Sequence, residues 1–144
     1  MPATPLTRHL VLDNAAVSAL LSQKKRDPKR AVVVEAIAAA NGRRLVPTAT
    51  RGEAGWDRTR PQTADANRLL GPETDAVLDG VVANRIVQLR GAVPSASVVD
   101  GAVAVAAEAA GASGGVVEIL TSDRKDFRAL AGELSATVDI THVR

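Results

Sequence analysis

Short apolar runs alternate with longer amphipathic segments along the chain. Several runs have the length and the leucine- or valine-rich composition of buried strands, and the segments between them carry apolar residues at helical spacing. The predicted strands cover residues 9–12, 45–47, 116–120 and 137–143, and part of 75–78 is a fifth candidate. The predicted helices cover residues 15–22, 28–40, 48–58, 61–70, 81–89, 97–112 and 123–131.

Turn and cap residues support these boundaries. Pro28 stands where the first position of a helix would be, Asn41 and Gly42 follow the end of that helix, and Thr48 is a candidate helix cap. Strands that are separated by helices imply a parallel sheet that is covered on both faces. We therefore expect an α/β protein in which residues 1–144 form a single domain with a central, mainly parallel sheet flanked by helices.

Composition narrows the possible functions. The 144 residues include no cysteine and only two histidines, which excludes disulfides, a cysteine nucleophile and thiolate zinc sites. Aromatic residues make up 1% of the chain, too few for a platform on which bases stack. The net charge is +2, and arginine, which suits phosphate partners, far outnumbers lysine. No signal peptide or membrane-spanning run is visible, so we expect a cytoplasmic protein without membrane contact.

Acidic residues stand where ligands of parallel sheets usually bind, just beyond the carboxyl ends of the strands. Asp13 and Asp123 follow predicted strands, Asp100 lies in the first turn of the helix that begins at Ser97, and Glu53 lies in the helix after the second strand. Each acid also has an ordinary explanation. Asp13 and Asp123 are good helix caps, Ser97 and Asp100 resemble a capping box, and Glu53 suits a solvated helix face.

If the four acids converge, their charges must be compensated. Two carboxylates 4 Å apart repel each other by roughly 4 kcal/mol at an effective dielectric constant of about 20. Oxygen ligands without histidine or cysteine favour Mg²⁺ or Mn²⁺. Such ions can activate water and stabilise the leaving oxygen of a phosphodiester, so hydrolysis would need no nucleophile from the protein.

The whole chain resembles a PIN-domain ribonuclease of the VapC toxin type. The resemblance rests on four segments, of which the last two are the more specific: residues 10–13 (LVLD), 46–48 (VPT) with Glu53 after them, 97–104 (SVVDGAVA) and 120–127 (LTSDRKDF). It implies a PIN fold, an acidic Mg²⁺ or Mn²⁺ site, cleavage of RNA and neutralisation by a cognate antitoxin. It assigns catalytic and metal-binding roles to Asp13, Glu53, Asp100 and Asp123. We also expect a homodimer.

Three positions near these acids qualify the resemblance. Family members often carry a hydroxyl two residues after the first aspartate, where this chain has Ala15. Asn14 is a possible substitute for that helper group. Asp126 lies one turn after Asp123 and is either an outer acid of the site or a solvated side chain.

Other functions remain open. A non-catalytic or housekeeping PIN scaffold that binds protein or RNA is the main alternative, although none of the four acids is replaced. A haloacid-type phosphoryl acceptor would need a second aspartate at the position of Ala15, and the glycines form no phosphate-binding fingerprint.

Basic and aromatic residues suggest where partners bind. Most of Arg51, Arg58, Arg60 and Arg68 are expected on solvated faces, and a subset near Glu53 is a candidate for holding substrate phosphates. Trp56 is more typical of a core. An exposed hairpin around it would suit an antitoxin helix or a second subunit.

Overall fold

The structure, a computed structural model, describes residues 6–24 and 26–143. Within these ranges the chain forms five strands and seven α-helices, in an order that alternates between the two. The strands are β1 (Arg8–Leu12), β2 (Arg44–Pro47), β3 (Asp75–Ala76), β4 (Val116–Thr121) and β5 (Thr137–His142). The helices are α1 (Asn14–Leu21), α2 (Pro28–Ala39), α3 (Thr48–Ala54), α4 (Ala64–Leu69), α5 (Gly80–Ala92), α6 (Val98–Gly111) and α7 (Arg124–Ala131).

The five strands form one sheet in the order β3-β2-β1-β4-β5, and every neighbouring pair is parallel. The α/β class and the single domain with a helix-flanked sheet are thus confirmed, and the sheet is parallel throughout. The chain lays β2 and β3 on one side of β1, then returns through α5 and α6 to place β4 and β5 on the other side. The strand order reverses next to β1, the position where parallel sheets open a crevice for ligands.

The sheet separates two apolar cores, because successive residues of a strand point to opposite faces. Leu10 and Leu12 pack with α1 and α2 on one face. Val11 packs on the other face with residues of α5, α6 and α7, including the fully buried Phe127. The small residues of α6 allow this helix to lie close to the middle strands.

Helix α6 begins with the capping box that the sequence suggested. Ser97 Oγ accepts a hydrogen bond from the Asp100 backbone N–H, and Asp100 Oδ2 accepts one from the Ser97 N–H. The next residue, Gly101, lies against α5, where an added Cβ would come within 2.8 Å of Ile86 Cγ2. Glycine at this position lets the two helices approach closely and fixes the start of α6.

The sequence analysis is wrong in detail around α3 and α4. Helix α3 ends at Ala54 and not at residue 58, because Gly55 adopts a left-handed conformation with φ of 75°. Thr48 is the first residue of α3 and not its cap; the cap position is Pro47. The segment from Pro61 begins as a 3₁₀ turn, Pro61–Thr63, before α4.

No helix in the part of the chain that the structure describes is long and apolar enough to cross a membrane.

Candidate functional site

The candidate site lies at the carboxyl edge of the sheet, between β1 and β4. The two strands pair in register, with Leu12 opposite Leu120, and the Asp13 N–H donates to the Leu120 carbonyl oxygen at 3.0 Å. Helix α6 ends at the opposite edge, where β4 begins, so its first turn lies at the carboxyl edge. The fold therefore places Asp13, Asp100 and Asp123 at the same edge of the sheet, as the sequence predicted.

Asp13 is buried at the centre of this edge. Its side chain occupies the cap position of α1 but makes no capping hydrogen bond, and 6% of the residue is exposed. Instead, Thr121 Oγ1 donates to Asp13 Oδ2 at 2.7 Å and accepts from the Asp123 N–H at 3.0 Å. Thr121 thus ties the ends of β1 and β4 together, and the sequence analysis gave it no role.

The pKa of the Asp13 carboxyl is raised above its ordinary value. Burial is the main cause, and the nearby negative charges of Asp100 and Glu53 add to it, whereas the hydrogen bond from Thr121 opposes it. The three carboxylates therefore lie close enough for their charges to interact. Holding Asp13 ionised in this surrounding costs free energy that the chain's own groups offset only in part.

Asp100, Asp123 and Asp126 form a tighter group, called here the acidic cluster. One carboxylate oxygen from each lies within 4.8 Å of the others, and all three side chains are half-buried. Within the described ranges, no lysine or arginine forms an ion pair with any of these three acids. Asp126 is therefore half-buried beside Asp100 and Asp123, and its role as an outer acid of the site stays a prediction.

Each acid of the cluster is also held by the local fold. Asp100 takes part in the capping box of α6, and Asp123 Oδ1 caps α7 by accepting from the Asp126 N–H at 3.1 Å. Ser95 Oγ donates to Asp126 Oδ1 at 2.6 Å. The ordinary explanation as helix caps is thus confirmed for Asp100 and Asp123. A carboxylate accepts through two oxygens, so capping leaves each acid further capacity to bind a cation.

The cluster fits a small divalent cation. Ligand oxygens lie about 2.0–2.1 Å from a bound Mg²⁺ ion, so two of them are about 3 to 4 Å apart. The mutual 4.8 Å limit within the cluster admits this arrangement. Mg²⁺ and Mn²⁺ prefer oxygen ligands, and three carboxylate oxygens together with water molecules form such a set. The carboxyl group of Asp13 lies nearby, and in its ionised form it adds to the attraction for a cation.

Glu53 and Asn14 stand apart from the cluster. Glu53 is exposed on α3 and influences Asp13 through its charge. Asn14 Oδ1 accepts a hydrogen bond from Ser18 Oγ of its own helix at 3.2 Å. Ala15 cannot supply the hydroxyl that family members often carry at this position. In this chain a hydroxyl does contact Asp13, but it comes from Thr121 on β4. A threonine at the end of a strand that leads into an aspartate was the sequence signal for this contact.

The arginines near Glu53 are engaged within the fold. Arg51 and Arg58 bind the two carboxylate oxygens of Asp75 at 2.7 and 3.3 Å. The Arg58 guanidinium carbon also lies 4.2 Å from the centre of the Trp56 ring. Trp56 is 3% exposed and donates its indole N–H to Asn67 at 2.9 Å. Trp56 therefore belongs to the core, as its sequence context suggested, and the hairpin around it does not present the ring to a partner.

A wide groove lies apart from the acidic cluster. It measures about 830 Å³ and runs between α2 and the start of α4, with Arg26, Arg30, Glu35 and Asp65 among its lining residues. A second cavity of about 540 Å³ includes Asp123 and is formed by the residues that follow β4 and by the end of β5. A choice of binding site by volume alone would favour the first groove, whereas the acidic cluster lies beside the second cavity.

No protein-family model matches the chain, and a search of curated proteins also finds no match. Function must therefore be inferred from the arrangement of the chain's own residues.

Proposed function

We propose that the protein is a Mg²⁺- or Mn²⁺-dependent endoribonuclease and acts as the toxin of a toxin–antitoxin pair, like the VapC-type PIN-domain proteins that its sequence resembles. One observation carries the proposal. The carboxylates of Asp100, Asp123 and Asp126 converge beside the buried Asp13, at the point where the strand order of a parallel sheet reverses.

In this proposal the residues of the site have different roles. Asp100, Asp123 and Asp126 would hold the cation, and Ser95 and Thr121 would orient Asp126 and Asp13 through their hydroxyl hydrogen bonds. A bound Mg²⁺ or Mn²⁺ ion would supply an activated water and neutralise negative charge on the phosphodiester. Glu53 would contribute only its negative charge, from the exposed surface next to the site. The sequence resemblance had assigned it a larger role, as a metal ligand.

A non-catalytic scaffold is the second candidate, and one observation favours it. Asp100 and Asp123 both cap helices, so their presence in the chain would be expected without any catalysis. Asp13 separates the two candidates, because its side chain caps nothing and is buried at a cost. A scaffold could keep the contact with Thr121 through an uncharged asparagine, whereas a cation site needs the charge of the carboxylate.

The decisive experiment compares Asp13→Asn with the wild type. Purified, folded protein is incubated with end-labelled structured RNAs in MgCl₂, MnCl₂ or EDTA. Defined fragments are expected from the wild type in either metal, and they should vanish with EDTA and in Asp13→Asn. The matched control is Asp139→Asn, which removes an exposed carboxylate from β5 and should leave cleavage unchanged. If folded wild-type protein cuts no RNA in either metal, the scaffold is the better account.

The toxin role and the antitoxin are supported by the sequence resemblance and are tested in cells. Induced expression of the wild type should arrest growth, whereas Asp13→Asn should not. When a small protein encoded by the neighbouring gene is co-expressed, we expect the cells to grow again. Such recovery would identify that protein as the antitoxin. A homodimer is supported by three exposed valines, of which Val77 precedes α5 and Val81 and Val87 lie on it. Sedimentation of the purified protein measures this directly.

A further inference from the structure

The cavity beside the acidic cluster has a basic lining. It is formed by Ser122, Asp123, Arg124, Lys125, Arg128 and His142 and measures about 540 Å³. Three of these residues are permanent cations and one is an acid. That acid, Asp123, also belongs to the acidic cluster, so the cavity and the cluster share a wall. We call this region the α7 cavity.

The cations of the α7 cavity have no internal partners. Within residues 6–24 and 26–143, Arg124, Lys125 and Arg128 form no ion pair. Other arginines near the site differ in this respect. Arg51 and Arg58 are bound to Asp75, as described above, and Arg60 and Arg68 pair with Asp57 and Asp65 on the surface. Of the cations that flank the acids on α3–α4 and on β4–β5, the unpaired ones therefore lie on the β5 side. Lys24, Arg26 and Arg30, which also form no ion pair in the described part of the chain, line the separate groove between α2 and α4.

The local fold explains how these residues come to line the cavity. Phe127 and Leu130 turn one side of α7 into the core. This leaves Arg124 and Arg128, four residues apart, as neighbours on its exposed side. At the end of β5, His142 lines the cavity from the side opposite α7.

We propose that the α7 cavity binds the RNA phosphate next to the scissile one. The proposal rests on the proposed nuclease function and adds a direction to it: the RNA strand crosses the β4–β5 side of the sheet, over the start of α7, and not the α3 side. An acidic cluster by itself repels a polyanion. A basic rim on one side of it attracts the backbone and leads one phosphodiester toward the acids.

The test uses two double variants that remove the same charge. Arg124→Gln/Arg128→Gln alters the α7 cavity. Arg8→Gln/Arg43→Gln, the matched control, removes two exposed arginines at the opposite, amino edge of the sheet. The probe is a fluorescein-labelled 20-nucleotide single-stranded RNA of mixed sequence, and its binding is followed by anisotropy in EDTA so that no cleavage occurs. Circular dichroism confirms that both variants are folded.

The α7 variant should bind the probe at least about tenfold more weakly than the wild type at 50 mM salt, and the slope of log K against log salt should fall by about 0.7 for the one lost phosphate contact. The control variant should change the affinity less than about threefold, because residual long-range attraction is screened. With Mg²⁺ present, the α7 variant should show a raised KM and a nearly unchanged kcat.

The proposal is overturned if the wild type does not bind the probe, if the α7 variant binds as the wild type does, or if both variants weaken binding equally. These outcomes are distinct from a failure of the nuclease function. Cleavage by the wild type with an unchanged KM in the α7 variant would reject the cavity and retain the nuclease. Selective loss of binding in the α7 variant, with no cleavage by the wild type, would retain an RNA surface and reject the nuclease.

Discussion

Helix α6 carries an acid near each of its ends, and the two acids have opposite surroundings. Asp100, in the first turn, faces Asp123 and Asp126 and has no ion-pair partner in the described part of the chain. Glu108, about two turns nearer the other end, accepts from Arg85 Nε and Nη2, both at 3.0 Å, and from the Ser135 N–H. One helix thus carries two carboxylates, of which the first is surrounded by other acids and the second is paired with an arginine.

The comparison shows how to tell a structural carboxylate from a candidate ligand. The hydrogen bond from Arg85 is the main cause that holds the pKa of Glu108 below its ordinary value, so this acid stabilises the fold when ionised. Burial and neighbouring carboxylates raise the pKa of Asp13, so that acid is a cost to the fold when ionised. A group that lowers stability in the isolated chain is best understood through what it binds.

The largest effect is expected from Asp126→Asn. Loss of one carboxylate from the acidic cluster should lower cleavage of RNA about 100-fold or more, the range typical for the removal of one preorganised electrostatic group. Glu53→Gln should cost less than about tenfold in the same single-turnover assay, because Glu53 acts on Asp13 only through its charge. An equal loss in both variants would remove the distinction between cluster and rim.

The next largest effect is expected at the other end of α6. Glu108→Gln should destabilise the protein by about 2 kcal/mol in urea unfolding, because it weakens charge-assisted hydrogen bonds to Arg85. Asp139→Asn, which loses only a 3.6 Å surface pair with Arg8, should change stability by less than about 0.5 kcal/mol.

The effect of Glu108 should also depend on pH. A lowered pKa means that the stabilisation is complete above the ordinary glutamate pKa and is lost as the pH falls through the lowered value. Wild type and Glu108→Gln should therefore converge in stability below pH 4.5. A difference between them that persists in acid would contradict the ion pair.

The stabilisation of the protein by Mg²⁺ should depend on the acid at the start of α6 and not on the acid near its end. At ten times its dissociation constant, Mg²⁺ should add about 1.4 kcal/mol to the wild type, and so raise its melting temperature by about 4 °C. Asp100→Asn should respond much less, whereas Glu108→Gln should respond as the wild type does. The same response in all three proteins would place the cation elsewhere.

The smallest effect expected is a gain in stability. Asp13→Asn keeps an oxygen that accepts from Thr121 but removes a buried charge. Because the pKa of Asp13 is raised, its cost is absent below the ordinary aspartate pKa of 3.8, grows as the pH rises through the raised value, and is complete above it. At pH 7 the metal-free variant should be more stable than the wild type in urea unfolding, because it no longer carries the buried charge. Lower stability of the variant at pH 7 would contradict a cost at Asp13.

The sequence predicted the elements of the site better than its contacts. Apolar runs place Asp13 and Asp123 after strands, and the spacing from Ser97 to Asp100 predicts a capping box, because these features depend on neighbouring residues alone. The bond between Thr121 and Asp13 depends on the pairing of β1 with β4, and nothing local in the sequence specifies which strands become neighbours.

The corner around α3 shows the same limit. The sequence contains Arg51, Arg58 and Trp56, but the two arginines become structural groups through contacts with distant residues. Both bind Asp75 on β3, and Arg58 also donates to the carbonyl oxygens of Leu70 and Gly71 and to Thr74. Gly55 is visible as a glycine, yet its left-handed conformation, which ends α3 early, follows from how the chain must turn into this corner.

The bond from Thr121 to Asp13 joins residues that are 108 positions apart, and this separation has a consequence for synthesis on the ribosome. A growing chain acquires Asp13 early, but Thr121, Asp123 and Asp126 emerge only after more than a hundred further residues have been translated. Until β4 pairs with β1, the acids of β1 and α6 have no partners with which to form the cluster. A nascent chain, or one released by a stop codon before β4, therefore lacks Thr121, Asp123 and Asp126 and is unable to assemble the acidic cluster.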